Sequence, residues 1–218
     1  MAQLFHFPWA PYARKALLAG YELEAKFEEV ITPAFEKSVM TALRARTSPL
    51  ATMPLLLLDD GSFISESSLI VEYFDLKAPE RGRLVPIDPH AALEVRGYDR
   101  LADALLGPTQ YLTWALRKPP AATNHERIAQ MRAKMGHVFD ALEARLTGRS
   151  FLFDERFTMA DIGSACAISV LIADRSITLA ELDGHPAVRR WYDRLVDRPA
   201  WQKMVQCAER VPRPPELA

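Results

Sequence analysis

Cysteine is nearly missing from this chain. Cys166 and Cys207 are the only two among 218 residues, and each lies in a helix-like stretch. Two such thiols build no disulfide framework, so a reducing, cytoplasmic setting is expected. No Cys-x-x-Cys or His-x-x-x-His pair occurs and the five histidines are scattered, so no metal site is expected. A glycine-rich phosphate loop is absent as well. Excess charge of either sign is lacking, with 27 basic residues against 28 acidic ones and a net charge of -1. That balance removes the electrostatic argument for nucleic acid or an anionic membrane as a partner. The apolar runs are far too short to span a bilayer. The opening MAQLFHFPWAPYARK has no basic stretch followed by an apolar one, so no secretory signal is expected.

What is present is ordinary soluble-protein material, enough for one large domain or two small ones with a real core. Its order is informative, because the two halves differ. Up to Lys77, strand-like and helix-like segments alternate. Gln3 to Phe7 and Lys26 to Ile31 are strand candidates. Tyr12 to Tyr21 reads as a helix with Pro11 at its favoured first position, and Glu36 to Ala45 as a second helix. Leu55 to Leu58 and Ser62 to Ile64 flank Asp59-Asp60-Gly61, a hairpin signal. Ser65 to Asp75 carries Leu69, Ile70, Tyr73 and Phe74 at helical spacing. The resulting βαβαββα order fits a small mixed sheet with helices packed on it.

Ala78 to Pro89, with three prolines and a glycine, reads as a linker. Beyond it strand signals vanish. His90 to Leu116 is a long amphipathic helix with a kink expected at Gly107-Pro108. His125 to Leu146 places Ile128, Met131, Met135, Val138, Phe139, Leu142 and Leu146 on one stripe. Ala160 to Ala173 is nearly all apolar and therefore central. Pro186 to Arg194 and Trp201 to Glu209 are shorter helices, and the tail from Val211 to Ala218 is expected to be loose. The expected domains are 1–77, an α/β unit, and 90–218, an all-helical bundle, joined by 78–89.

Three motifs carry a resemblance over nearly the whole chain. The first is Thr52 to Phe74, TMPLLLLDDGSFISESSLIVEYF. The second is Phe157-Thr158-Met159-Ala160-Asp161-Ile162, in which Thr158 can cap a helix and Asp161 can bond back to it. The third runs from His185-Pro186-Ala187-Val188 through Trp191 to Arg198-Pro199-Ala200-Trp201. In order and at this spacing they resemble the cytosolic glutathione transferase superfamily, with a thioredoxin-like N-terminal domain and a helical C-terminal domain. The resemblance implies a cis bond at Met53-Pro54, with the Met53 backbone pairing the cysteinyl part of glutathione as an added strand.

Glu66 and Ser67 open the next predicted helix, where amides and dipole favour a carboxylate and Glu66 can meet an ammonium. Together they match the zwitterionic γ-glutamyl end of glutathione. A bland alternative, in which Ser65 or Ser67 merely caps the helix, is compatible with that role. Met53, Pro54, Glu66 and Ser67 are thus the glutathione-binding candidates. Relatives often carry Asn-Pro and a lysine before the Val-Pro; here Ser48-Pro49 and Thr52-Met53 stand there, which leaves Lys37 or Arg44 as substitutes for the glycyl contact.

The reactive end departs from the pattern. Ala10 stands where many bacterial relatives carry Ser or Cys, within Ala10-Pro11-Tyr12-Ala13. Redox members of the wider fold have Cys-Pro-Tyr-Cys at this place, so dithiol chemistry is excluded here. No catalytic residue is assigned. The candidates for contacting the sulfur are the Tyr12 hydroxyl, the Trp9 indole N–H and the backbone amides of Tyr12 and Ala13 beside Ala10. His6, a lone strand histidine, reads as a packed side chain rather than a base. Trp9, Tyr111 and Trp114 are candidate walls of an apolar second-substrate pocket.

Two function classes follow. One is an enzyme that conjugates, isomerises or dehalogenates a small apolar electrophile with glutathione as substrate or cofactor. The other is a catalytically weak glutathione-binding or protein-interaction module. The resemblance also implies a two-fold homodimer through the helix from Ser65 and the first two helices of the second half.

Overall fold

The computed structural model describes residues 1–32, 37–78 and 83–212. Its first half runs β1 (Gln3–His6), α1 (Pro11–Glu22), β2 (Glu28–Ile31), α2 (Lys37–Arg46), β3 (Leu55–Leu57), β4 (Phe63–Ser65) and α3 (Ser67–Lys77). The second half is helical: α4 (Pro89–Ala115), α5 (His125–Leu146), α6 (Met159–Ala173), α7 (Pro186–Val196) and α8 (Pro199–Glu209). The expected α/β-plus-α architecture is the observed one. Short 3-10 turns at Pro120–Ala122 and Leu179–Gly184 were not expected from the sequence.

Four strands form one sheet in the order β2-β1-β3-β4. The β1–β2 pair is parallel and the other two are antiparallel. Gly61 at φ +84° closes the β3–β4 hairpin in a conformation that a side chain would resist. Alternation along the strands divides the sheet's two faces. Leu4 and Leu56 join the main core with α1 and α3, while Phe5, Leu55 and Leu57 form a small second core with Leu43 of α2.

The main core continues without a break into the helical half. At its centre is α6, buried at every position from Met159 to Leu171. Each fully buried Leu or Ile there contributes about 1.5–3 kcal/mol, so the nearly all-apolar sequence explains the central place. Gly163 lets α4 come close: a Cβ there would sit 2.6 Å from the Ala102 Cβ.

Some boundaries differ from the sequence expectation. Pro89, placed in the linker, is the first residue of α4, whose Asp88 side chain caps the Ala91 amide at 2.9 Å. The described part of the linker is anchored rather than free. Leu84 and Val85 are buried, and Arg83 pairs with Asp75 at 3.1 Å. Glu36, part of the linker at 79–82 and the tail at 213–218 lie outside the described residues. The helix α4 passes through Gly107-Pro108 unbroken. Pro108 offers no amide to the ladder, and the Thr109 hydroxyl beside it donates to the Leu105 carbonyl at 2.8 Å.

Candidate functional site

A cleft of about 430 Å³ opens between the two halves. Its sheet-side wall is Tyr12, Thr52, Met53, Pro54, Glu66, Ser67 and Ser68; its helical wall is Arg100, Asp103 and Gln110 of α4. All four binding residues expected from the sequence meet here. The Met53–Pro54 bond is cis. It lies just before β3, and the Met53 N–H and C=O have no hydrogen-bond partner among the described residues.

Glu66 is the N-cap of α3, with φ 158° and ψ 118°, and no side chain caps the helix. Neither the Glu66 carboxylate nor the Ser67 hydroxyl bonds to another described residue. The wall therefore presents a backbone donor and acceptor, a carboxylate, a hydroxyl and a helix N-terminus, all without hydrogen-bond partners among the described residues. Polar groups in a recess are normally satisfied, so this set is suited to a ligand rather than to the fold.

Beneath it lies a charged brace. Lys15 of α1 is fully buried, ion-paired with buried Asp99 of α4, and it donates to the Ser68 hydroxyl at 2.7 Å. Ser68 in turn donates to Asp99 at 2.8 Å. The Arg100 guanidinium contacts Ser68 and Asp99 and pairs with Asp103 at 3.0 Å. A buried pair broken on one side costs about 3–5 kcal/mol, so this network fixes α4 against α1 and α3 at the cleft floor.

The reactive end is sparser. Ala10 is the N-cap of α1, offers no side-chain cap, and does not line the cleft. Tyr12, the second residue of α1, does line it. Its hydroxyl is pushed above the ordinary tyrosine range by burial, then by the Asp103 and Glu66 carboxylates, with Arg100 opposing. It is therefore a protonated donor at neutral pH. The structure does not bring Trp9 to the cleft; its indole N–H donates to the Val211 carbonyl at 3.3 Å. His6 is fully buried, and its burial pushes the imidazole down to about 4 despite nearby Glu29.

Tyr111 and Trp114 line a neighbouring hollow of about 360 Å³ with Gly107, Gln110, Ala115 and Lys118. Gln110 belongs to both recesses, so the two adjoin along α4. Neither Lys37 nor Arg44 lines the cleft; the Arg44 guanidinium donates to the Ala51 carbonyl at 3.1 Å. Arg100, Asp103 and Gln110 were missed from sequence. Their only signal was the i, i+3 spacing of charges on one long helix, which ordinarily marks a solvated face.

Known proteins add a second line. Residues 4–82 match the family model for the glutathione S-transferase N-terminal domain, and residues 109–199 match that for the C-terminal domain. Glutathione S-transferase 2 of Saccharomyces cerevisiae is 31% identical over 173 residues, covering 71% of this chain and 67% of that protein. The uncharacterized GST-like protein YibF of Escherichia coli is 29% identical over 129 residues. That match covers 58% of this chain and 62% of YibF, less than two thirds of that relative's length.

Among solved structures, a Methylobacterium radiotolerans glutathione S-transferase complexed with glutathione sulfonate superposes with a TM-score of 0.80. It is 28% identical, and the match covers 94% of each chain. A Methylobacillus flagellatus glutathione S-transferase with GSH bound gives a TM-score of 0.84 at 24% identity, covering 94% of this chain and 98% of that one, a likeness of fold.

Proposed function

The chain belongs to the glutathione transferase superfamily, and from that premise we propose that the cleft binds glutathione and delivers its sulfur to a small apolar electrophile. The observation that carries this reading is the convergence of the unpartnered Met53 backbone, Glu66 carboxylate and Ser67 hydroxyl in one recess. The Met53 N–H and C=O pair with the cysteinyl unit as an added strand. Glu66 meets the γ-glutamyl ammonium. Ser67 and the first amides of α3 hold the α-carboxylate, a charge-assisted arrangement stronger than neutral hydrogen bonds.

The sulfur then lies near the start of α1, where the Tyr12 hydroxyl donates to it and the helix dipole favours thiolate. Asp103 and Glu66 act against that thiolate, and Ala10 gives it no hydroxyl. Activation is therefore modest. The electrophile occupies the adjoining hollow between Tyr111 and Trp114. Conjugation, isomerisation and dehalogenation all begin with the same attack by thiolate.

The deciding experiment is an ultraviolet titration of the thiolate of bound glutathione. The expected result is saturable binding at millimolar glutathione with a thiol pKa below the free value of about 8.5 for an ordinary thiol. No binding sinks the reading. Binding with an unshifted thiol supports the second reading, a catalytically weak binding module, which the bare Ala10 side chain favours.

The proposal extends to a cytoplasmic homodimer, with the domain boundary between Lys77 and Pro89. Leu69 and Leu76 of α3 and Leu93 of α4 are 55%, 64% and 65% exposed, apolar positions on two of the three helices that the dimer would use. Light scattering at the monomer mass would refute it.

A further inference from the structure

Away from the cleft, the fold gathers three side chains that the sequence keeps far apart. The parallel register sets Leu4 beside Glu29, so side chains 4, 6 and 29 share the sheet face under α1 and α8. Cys207 of α8 comes down on the same spot. The nearest ligand atoms of His6, Glu29 and Cys207 all lie within 4.8 Å of one another. The Cys207 sulfur is 3.2 Å from Glu29 Oε2, and His6 Nε2 is 3.9 Å from the same oxygen. Ligands held tetrahedrally at about 2.0–2.3 Å from zinc stand roughly 3.3–3.8 Å apart. These two separations bracket that range, and the Cys207–His6 separation lies within 4.8 Å.

The chain's own bonding explains only part of this cluster. Cys207 donates to Glu29, and the Tyr21 hydroxyl donates to the other carboxylate oxygen at 2.6 Å. His6 is left out. It is wholly enclosed, neither ring nitrogen has a hydrogen-bond partner among the described residues, and 3.9 Å is too long for a bond to Glu29. An imidazole buried with two orphaned nitrogens costs free energy that a metal bond to Nε2 would recover.

We propose that His6, Glu29 and Cys207 form a zinc site that ties α8 to the sheet. Imidazole, carboxylate and thiolate are all zinc ligands, and water completes the fourth position. The Cys207 thiol gives its proton to solvent as the Zn–S bond forms, so Zn²⁺, one thiolate and one carboxylate sum to no net charge in a buried place. The Tyr21 hydroxyl orients the carboxylate from outside, as the neighbours of metal ligands commonly do. A hollow of about 200 Å³ lined by Tyr21, Glu29 and Lys203 gives the ion a way in. Two cations border the site. Lys203 stacks over the Tyr21 ring, and the Arg210 guanidinium, 3.7 Å from Glu29, is largely exposed and free to swing out as zinc enters. They weaken binding, which is expected at micromolar zinc. This reading is independent of the glutathione proposal. It also runs against the expectation from spacing alone, under which no metal site was foreseen.

The test uses the full chain, stripped with a chelator and titrated with Zn²⁺ against a chromophoric zinc indicator and with Co²⁺ by absorption. One ion per chain at micromolar concentration, a thiolate-to-cobalt band in the near ultraviolet, and a zinc-dependent rise in Tm are expected. Cys207→Ser should abolish the band and weaken zinc binding at least tenfold, while Cys166→Ala in α6 leaves both unchanged. His6→Gln, which keeps a polar side chain but no imidazole, should show the same tenfold loss and serves if Cys207→Ser does not fold. An unchanged affinity in whichever variant folds overturns the site, as does a wild-type protein without the cobalt–thiolate band.

Discussion

The helices α3 and α6 begin with similar chemistry and use it in opposite ways. Both start with short polar residues, Glu66-Ser67-Ser68 and Thr158 with Asp161. At α6 everything is closed. Asp161 accepts from the Thr158 amide, the Leu152 amide and the Trp191 indole, each at 2.9 Å. One carboxylate thus joins the helix start to the loop before it and to α7. At α3 the Glu66 carboxylate and Ser67 hydroxyl have no hydrogen-bond partner among the described residues, and both line the cleft. A polar helix start becomes scaffold when the chain supplies its partners. It becomes a candidate site when the chain withholds them.

Removing the closed cap should therefore have the largest effect on stability. Asp161→Ala leaves three buried donors without an acceptor, each worth about 1–3 kcal/mol, less the relief of the carboxylate's own burial cost. A net loss of about 4 kcal/mol is expected in the denaturant midpoint, with glutathione affinity unchanged in protein that remains folded. A loss below about 1 kcal/mol would remove the scaffold side of the comparison.

The same carboxylate should leave a mark on pH dependence. Complete burial pushes Asp161 up to about 6 from its ordinary 3.8, more than its hydrogen bonds lower it. Raised in the native state, it holds its proton more tightly there than in the unfolded chain. Its contribution is thus fully present below pH 3.8 and is lost as pH rises through 6. About two pH units of difference correspond to about 3 kcal/mol. His6, held low by burial, acts with the opposite sign in an overlapping window. The measurement is therefore the stability of wild type minus Asp161→Asn, in which His6 cancels. That difference should fall by about 3 kcal/mol between about pH 4 and 7; a flat difference would mean that the buried carboxylate does not titrate as its surroundings require.

At the open helix start the balance should reverse. Glu66→Gln and Ser67→Ala should each weaken glutathione binding about tenfold, or about 1.4 kcal/mol, by calorimetry. Stability should move by no more than about 0.5 kcal/mol, because no internal bond is lost. Ser67→Ala destabilising the chain by several kilocalories would make this helix start scaffold too, and the comparison would fail.

These contrasts also separate what the residues announced from what they hid. The Asp59-Asp60-Gly61 hairpin, the nearly all-apolar α6 and the stripe of α5 were legible because each is a local pattern. So were Met53, Pro54, Glu66 and Ser67, adjacent to turn and helix signals that fix where they point. Arg100, Asp103 and Gln110 were not, since a charge on a long helix reads as solvated until α4 docks on α1 and α3. Lys15 was hidden for the same reason: it is fully buried only because Asp99 comes from the other half. His6, Glu29 and Cys207 meet through strand register and the return of α8, which no spacing rule encodes. Trp9 looked like a pocket wall by its place in the first loop, yet the Val211 carbonyl holds its indole N–H.

The smallest expected effect concerns α1, which has neither kind of polar start. Ala10 sits at its N-cap with φ -86° and ψ 135°, a conformation that serine adopts freely. A hydroxyl placed there by Ala10→Ser has two possible partners. It can accept from the amides of Tyr12 or Ala13 as a cap, raising stability by about 1 kcal/mol. Alternatively it can donate to the glutathione sulfur, lowering the bound thiol pKa and raising kcat/KM toward a generic electrophile up to about fivefold, which is also near 1 kcal/mol. The expected outcome is the second, with Tm nearly unchanged, because the cleft leaves the sulfur short of donors. A higher Tm with unchanged kcat/KM would instead mean that the new hydroxyl behaves as the closed cap of α6 does, and that the sulfur lies away from Ala10.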